Sequence, residues 1–320
     1  MSRYEKMKYR YCGSSGLQLP VVSLGFWHNF GTEADHAICT EMVTGAFELG
    51  ITSFDLANNY GPVPGSAEER FGKILKEQMS AHRDEIIIST KAGYDMWDGP
   101  YGCGGSKKYL VSSLDQSLKR MGLEYVDIFY HHVPDPNTPM EETADALKLI
   151  VQQGKALYVG ISNYNAQQTQ KMEKLLNERG VHCLINQISF SMTERRNQPA
   201  IERANELGIG TIAFCPLAQG VLTGKYMNGI PKDSRAAGES VFLKREQITE
   251  KVVEVTKKLS EIADNRGQSL AQMALAWALR HTTSVIIGAR KFSQIEENCG
   301  CVDGLEFSKE ELEMIEKILI

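Results

Sequence analysis

The sequence predicts an α/β fold: a (β/α)8 barrel with an N-terminal β-hairpin, long rim loops and a C-terminal helix. Three observations carry that prediction. Eight short β-branched runs alternate along the chain with segments of helical apolar spacing, which implies a parallel sheet covered by helices. After the first run, Gly25 leads into Phe-Trp-His-Asn-Phe-Gly rather than G-x-G-x-x-G, so the signature of an open, dinucleotide-binding sheet is missing. The length of 320 residues exceeds the roughly 250 of a typical barrel by enough for a few added elements.

Taken in order, residues 9–11 and 17–19 read as a hairpin turning at Gly13-Ser-Ser-Gly16. The barrel runs are 21–25, 51–55, 85–90, 125–132, 155–161, 183–188, 209–214 and 284–287. Their helical partners are 35–49, 67–79, 107–121, 140–153, 166–179, 197–207, then 247–265 with 270–280, and 291–299. Ser269 precedes an apolar run as an N-cap should, and Gly50, Gly122, Gly180 and Gly208 follow helical stretches as C′ residues do. What remains is the loop 94–106, the Gly/Pro-punctuated stretch 216–246 and a final helix over 308–319. None of these has the Pro/Ser-rich composition of a linker, so residues 1–320 are expected to form one domain.

Composition narrows the classes of function. At 42% hydrophobic and 23% charged, the chain can build a large core and is neither disordered nor collagenous. A formal charge of −5 disfavours binding to bulk nucleic acid, although a small anion needs only a few local cations. The seven cysteines are scattered and contain no Cys-x-x-Cys pair, and Cys299-Gly-Cys301 lacks a second ligand pair. They read as thiols in a reducing cytoplasm rather than as disulfides or a zinc site. The first residues carry charge without an apolar core, so no signal peptide is expected, and the most apolar helical stretch, around 271–279, is far short of a membrane span.

In such a barrel the chemistry belongs at the C-terminal ends of the strands. Three consecutive runs end on Asp55, Lys91 and His132, and Tyr60 stands on the loop after the first of them. Period-two alternation turns Asp55, Lys91 and His132 inward and leaves His131 facing the helices. An ammonium beside a phenol favours the phenolate, and a carboxylate beside the lysine keeps it charged. An imidazole on the next strand can bond a substrate carbonyl, and the phenol can protonate that oxygen as hydride arrives at carbon. Singly, each residue also has a structural reading: a turn aspartate, a solvated lysine, a packed tyrosine, a satisfied histidine. Spacing alone leaves both readings open.

These segments carry a resemblance. Phe54-Asp55-Leu-Ala-Asn-Asn-Tyr60-Gly61, Ser89-Thr-Lys91, Val126-Asp-Ile-Phe-Tyr-His-His132 and Gly160-Ile-Ser-Asn163 resemble, in order, the signatures of the aldo-keto reductases. Those are (β/α)8 enzymes that reduce aldehydes and ketones with NADPH. The resemblance extends from about Tyr9 to the last helix and implies Asp55, Tyr60, Lys91 and His132 as catalytic residues, with Tyr60 the general acid. Leu24-Gly-Phe-Trp27-His-Asn-Phe-Gly31, residues 57–66, 91–97 and 99–105, and Leu114-Asp-Gln-Ser-Leu-Lys-Arg-Met-Gly122 are similar to the L-glyceraldehyde 3-phosphate reductase branch. Potassium-channel β-subunits are near relatives of that branch. They carry asparagine where this chain has His132.

The resemblance also implies a cofactor track. Ser162, Asn163 and Gln187 would hold the nicotinamide carboxamide, with Trp27 and Asp55 beside it. Phe214, which alone reads as barrel core, would stack on the ring. The loop Pro216-Leu217-Ala-Gln-Gly220-Val-Leu222-Thr-Gly224-Lys225 would fold over the pyrophosphate, its glycines and amides suiting an anion. Gly288, Arg290 and Lys291 open a helix whose N-terminus suits the 2′-phosphate of NADPH, and Gln294, Glu297 and Asn298 take the adenine side. Arg290 stands where close relatives have a small hydroxyl residue, which leaves the preference for NADPH over NADH open.

The resulting expectation is a cytoplasmic, NADPH-dependent oxidoreductase acting on CH–OH groups, without nucleic-acid or membrane partners. Its lead substrate is L-glyceraldehyde 3-phosphate, with methylglyoxal and similar small aldehydes beside it. Trp27, Asn59, Tyr60, Trp97 and His132 would shape the substrate pocket, with His28 or Arg196 available to a phosphate. Related chains include tetramers and octamers, so a homo-oligomer is a further expectation. Two other readings stand beside this one: an NADPH-binding regulatory subunit, and a Schiff-base aldolase using Lys91.

Overall fold

The computed structural model describes residues 2–319 except 233 and 239–242, so part of the expected rim stretch 216–246 lies outside the described residues. The hairpin forms first, β1 (Tyr9–Tyr11) pairing antiparallel with β2 (Gln18–Pro20). Eight parallel strands then close into a ring: β3 (Val22–Gly25), β4 (Ser53–Asp55), β5 (Ile87–Ala92), β6 (Val126–His131), β7 (Ala156–Ser162), β8 (Cys183–Ser189), β9 (Gly210–Phe214) and β10 (Ser284–Ile287). Closure is made by β10, which pairs with both β9 and β3. The predicted (β/α)8 barrel is the observed fold.

Between the strands run α1 (His36–Glu48), α2 (Ser66–Ile74), α3 (Lys107–Met121), α4 (Met140–Gln152), α5 (Ala166–Asn177), α6 (Gln198–Glu206), α7 (Glu250–Asn265), α8 (Leu270–Ala278) and α9 (Phe292–Cys299), and α10 (Lys309–Leu319) follows. Caps fix several boundaries. The Ser106 and Asn165 side chains accept amides of α3 and α5, and Ser269 with Gln272 forms the reciprocal cap of α8. Gly122, at φ 68°, closes α3 in the left-handed region. The helix expected over 67–79 changes pitch: α2 ends at Ile74 and a π-turn, Leu75–Met79, continues it. That turn keeps Leu75 and Met79 buried in the main core.

Adjacent strand residues serve two different cores, as the pleat requires. Leu24, Phe54, Ile88, Phe129 and Val285 pack outward under the helices. Ile87, Ile128, Tyr130, Ile185, Ile212 and Ile286 fill the barrel interior, where Cys12 and Leu19 of the hairpin join them. The hairpin is therefore a plug for the floor of the barrel. Its fit is tight: Gly13 (φ 57°) lies so close to the Gly208 carbonyl that a Cβ there would overlap it, and Cys12 Sγ occupies the space a Cβ on Gly210 would need.

His131 points outward as alternation requires and is buried, its Nδ1 bonded to the Tyr164 hydroxyl at 2.6 Å. Burial pulls this imidazole down to about 4. Among the described residues no helix is long and apolar enough to cross a membrane, no disulfide joins the cysteines, and no cluster of metal-ligating side chains occurs.

Two stability measurements follow from this architecture. Leu19→Ala, which empties the plug, should cost about 3 kcal/mol in urea unfolding, while exposed Tyr11→Ala should stay within about 0.5 kcal/mol. A histidine whose folded value is depressed adds stability above its ordinary 6.5 and loses it as pH falls from there to about 4. Acid melts over that window should therefore lose on the order of 3 kcal/mol through His131, and His131→Gln should flatten the slope. An unchanged slope in the variant would assign the acid lability elsewhere.

Candidate active site

The parallel register brings Asp55 of β4 opposite Ser89 of β5, and Lys91 of β5 opposite Tyr130 of β6. Lys91 is fully buried, and its Nζ donates to Asp55 Oδ2 and to the Leu56 carbonyl, each at 2.6 Å. The other carboxylate oxygen, Asp55 Oδ1, accepts Ser89 Oγ (3.0 Å) and Gln187 Nε2 (2.9 Å). Both oxygens of the buried carboxylate are thus occupied, as a charge removed from water requires. Burial lowers the lysine's hold on its proton, and the Asp55 carboxylate opposes that loss.

Tyr60 reaches this pair from the turn after β4. The turn is laced to its neighbours by backbone bonds: Leu56 and Asn58 amides to the Ser89 and Lys91 carbonyls (2.9 Å each), and the Gly61 amide to the Trp27 carbonyl (3.0 Å). The Lys91 Nζ lies 4.7 Å from the centre of the Tyr60 ring. His132 stands edge-on to both Tyr60 and Tyr94, with ring centres 5.8 and 4.7 Å away. Desolvation, reinforced by the Asp55 charge, pushes the Tyr60 phenol well above 10. From the sequence, a neighbouring ammonium is expected to lower this value; in the structure burial outweighs that attraction and keeps the phenol protonated. His132 is pushed well below 6.5 by burial and by the Lys91 charge, so it is a neutral imidazole at physiological pH.

These groups open onto a cavity of about 1030 Å³. Its wall runs from Trp27, Asn59, Tyr60 and His132 past Asn163, Gln187 and Phe214, along Pro216, Leu217, Gly220 and Lys225, to Gly288, Arg290 and Lys291 before α9 and Gln294, Glu297 and Asn298 along it. One surface therefore joins most of the predicted positions. Asp55 and His28 also line it, whereas Lys91 is buried without lining it. Ser162 is buried and does not line the cavity, its Oγ accepting Asn163 Nδ2 at 3.2 Å, and Leu222 is buried in the main core. Gly224 belongs to the same loop without lining the cavity. Trp97 packs its ring 5.1 Å from that of Tyr109, and Arg196, 74% exposed, pairs with Glu194 at 3.4 Å. Neither lines the cavity.

Sequence reasoning missed Tyr94, Asn29, Cys215, Gln219, Tyr226 and Ala271, all of which line the cavity. Tyr94 begins the loop already marked at 94–106, the one available hint. Ala271 reads as helix core. Cys215 and Gln219 reach the cavity through backbone that no pattern announces. With Ala218, they adopt φ between 47° and 60°, and Asn163 does so at 61°. Non-glycine residues in the left-handed region are uncommon, and here they gather at the ends of β7 and β9, on the rim.

Residues 21–320 match the model of the aldo/keto reductase family. Two curated relatives, each named L-glyceraldehyde 3-phosphate reductase, from Escherichia coli O157:H7 and from Escherichia coli strain K12, are 56% identical over 98% of this chain and 93% of their own length. A probable voltage-gated potassium channel subunit beta from Arabidopsis thaliana is 36% identical over 93% of this chain and 92% of its own. The agreement of motif order, barrel topology and near full-length similarity leads to one conclusion: this chain belongs to the aldo/keto reductase family.

Proposed function

We propose that the protein is an NADPH-dependent reductase of small aldehydes, with L-glyceraldehyde 3-phosphate as the lead substrate and methylglyoxal-like aldehydes beside it. The observation that carries this reading is the protonated Tyr60 phenol set between a buried Lys91–Asp55 pair and a neutral His132. Family membership and the similarity to two L-glyceraldehyde 3-phosphate reductases support aldehyde reduction.

The cavity suits a dinucleotide phosphate. Lys225, Arg290 and Lys291 gather cations along the wall that leads away from Tyr60, and Phe214 offers an aromatic face on the same wall. At Gly220 and Gly288 a Cβ would enter open space, so the bare backbone leaves room for a ligand against the wall. A nicotinamide bound there supplies hydride to the carbonyl carbon. Tyr60 holds at its hydroxyl the proton that the carbonyl oxygen then needs. Neutral His132 offers a ring N–H to the same oxygen and fixes its direction. The Lys91 ammonium stabilises the phenolate left when Tyr60 gives up its proton, and Asp55 keeps that ammonium charged and stationary.

Two observations weigh on the other readings. Lys91 Nζ is buried and committed to Asp55 and Leu56, so it has no lone pair to offer a Schiff base. His132 completes the proton-donor group, and identity is higher to the reductases than to the channel subunit, which favours turnover over cofactor sensing.

Tyr60→Phe should lower kcat by at least about a thousandfold while the Kd for NADPH, read by fluorescence quenching, changes less than about twofold. Turnover within a few-fold of wild type would remove Tyr60 from the role of acid. Lys291→Ala and Arg290→Ala should each raise KM for NADPH about tenfold and leave KM for NADH nearly unchanged. Equal effects on both cofactors would deny these cations a 2′-phosphate. A panel of phosphorylated and unphosphorylated aldehydes, run with NADPH and NADH in parallel, tests substrate class and cofactor together.

A further inference from the structure

Behind the strand that carries Lys91 lies a second buried ion pair, which the reaction outlined above does not use. Glu68, in the first turn of α2, is completely buried. Its Oε1 accepts the Thr90 hydroxyl at 2.5 Å, and its Oε2 accepts Arg120 Nε, from the last turn of α3, at 2.7 Å. Arg120 also donates to Ser117 Oγ at 3.2 Å. A desolvated carboxylate must have partners for both oxygens. Here one partner is an uncharged threonine, and that threonine directly precedes Lys91 on β5.

The same carboxylate is tied to Tyr60. Its helix begins at Ser66, and the Tyr60 carbonyl accepts the amide of Ala67, the residue before Glu68, at 3.3 Å. Glu68 therefore links the segment that carries the phenol to the strand that carries the ammonium. Its negative charge also adds to that of Asp55 in favouring the charged lysine.

We propose that Glu68 is a positioning residue of this active site, acting on Lys91 through Thr90 and on Tyr60 through α2, and that its charge sets the alkaline limit of turnover. The other groups around Lys91 are Asp55 from β4, the Tyr60 and Tyr130 rings, and neutral His132. On the outer face Asp127 of β6 accepts the Ile88 amide and pairs with Arg83, while Arg120 meets Glu68 from α3. Asp55 is bonded to the ammonium itself and Asp127 is tied to Ile88 and Arg83, whereas Glu68 bonds the residue next to Lys91, and its charge can be removed without breaking a bond to the ammonium.

The inference rests on the proposed role of charged Lys91 beside Tyr60, and the experiment separates the two. Glu68→Gln keeps a side chain of the same shape that can still bond Thr90 and Arg120, but removes the charge. The alkaline limb of its kcat/KM profile should move to lower pH by about one unit, because Lys91 then loses its proton more readily. Glu68→Asp, which keeps the charge, should hold the limb near its wild-type position. In the cofactor-free protein, the side-chain carbon resonance of Lys91, assigned by its loss in Lys91→Arg, should titrate at lower pH in Glu68→Gln. If Glu68→Gln fails to fold because the Arg120 charge loses its counter-ion, Glu68→Gln/Arg120→Gln set against Arg120→Gln alone isolates the Glu68 charge without an orphaned cation. An unmoved limb together with an unmoved resonance, or a uniform loss of kcat at all pH values, overturns the proposal. The resonance reports on Glu68 even if Tyr60 proves not to be the acid.

Discussion

The Asp55–Lys91 ion pair, removed from water inside the mouth of the barrel, is the interaction on which the rest of the site depends. Two buried charges are unfavourable unless their geometry is good and every remaining lone pair or proton is satisfied. That condition recruits Ser89 from β5, Gln187 from β8 and the Leu56 carbonyl from the turn after β4. Breaking such a pair by removing one partner typically costs about 3–5 kcal/mol, so the register of β4 and β5 is held by electrostatics as well as by packing.

The same desolvation assigns protonation states. Burial, reinforced by the Asp55 charge, pushes the Tyr60 phenol up, and burial, reinforced by the Lys91 charge, pushes the His132 imidazole down, so both groups are neutral. The resulting group holds a proton donor, a neutral hydrogen-bonding ring and a fixed positive charge within a few ångströms. The barrel supplies this economically, because adjacent strand ends lie side by side and alternation turns every second residue inward. The hairpin plug fills the opposite end of the barrel interior, and the large cavity opens at the rim.

Much of this was legible in the sequence because it depends on periodicity and on local chemistry. The boundaries of α3 and β10 fall on the residues that capping and β-branching indicate, and Asp55, Lys91 and His132 declare themselves as polar residues ending apolar runs. The pitch change at Leu75 was not legible: the apolar spacing continues through it, and the tighter or looser winding follows from packing. Trp97 looked like a pocket residue from its place in the loop, yet the loop folds back and gives the ring to Tyr109. Tyr94, three residues earlier and no more conspicuous, faces His132 instead.

By itself, the sequence determined the order and number of the barrel units, the strand ends that carry Asp55, Lys91 and His132, and the family signatures along them. These are properties of spacing, and spacing survives without knowledge of what packs against it. Only the tertiary structure decided the direction in which the Tyr60 phenol is shifted, the enclosure of Glu68 between Thr90 and Arg120, and the left-handed backbone that brings Cys215 and Gln219 to the cavity. Each of those depends on how much water is excluded and on which distant segment supplies the missing partner. Neither quantity is written at the position it affects.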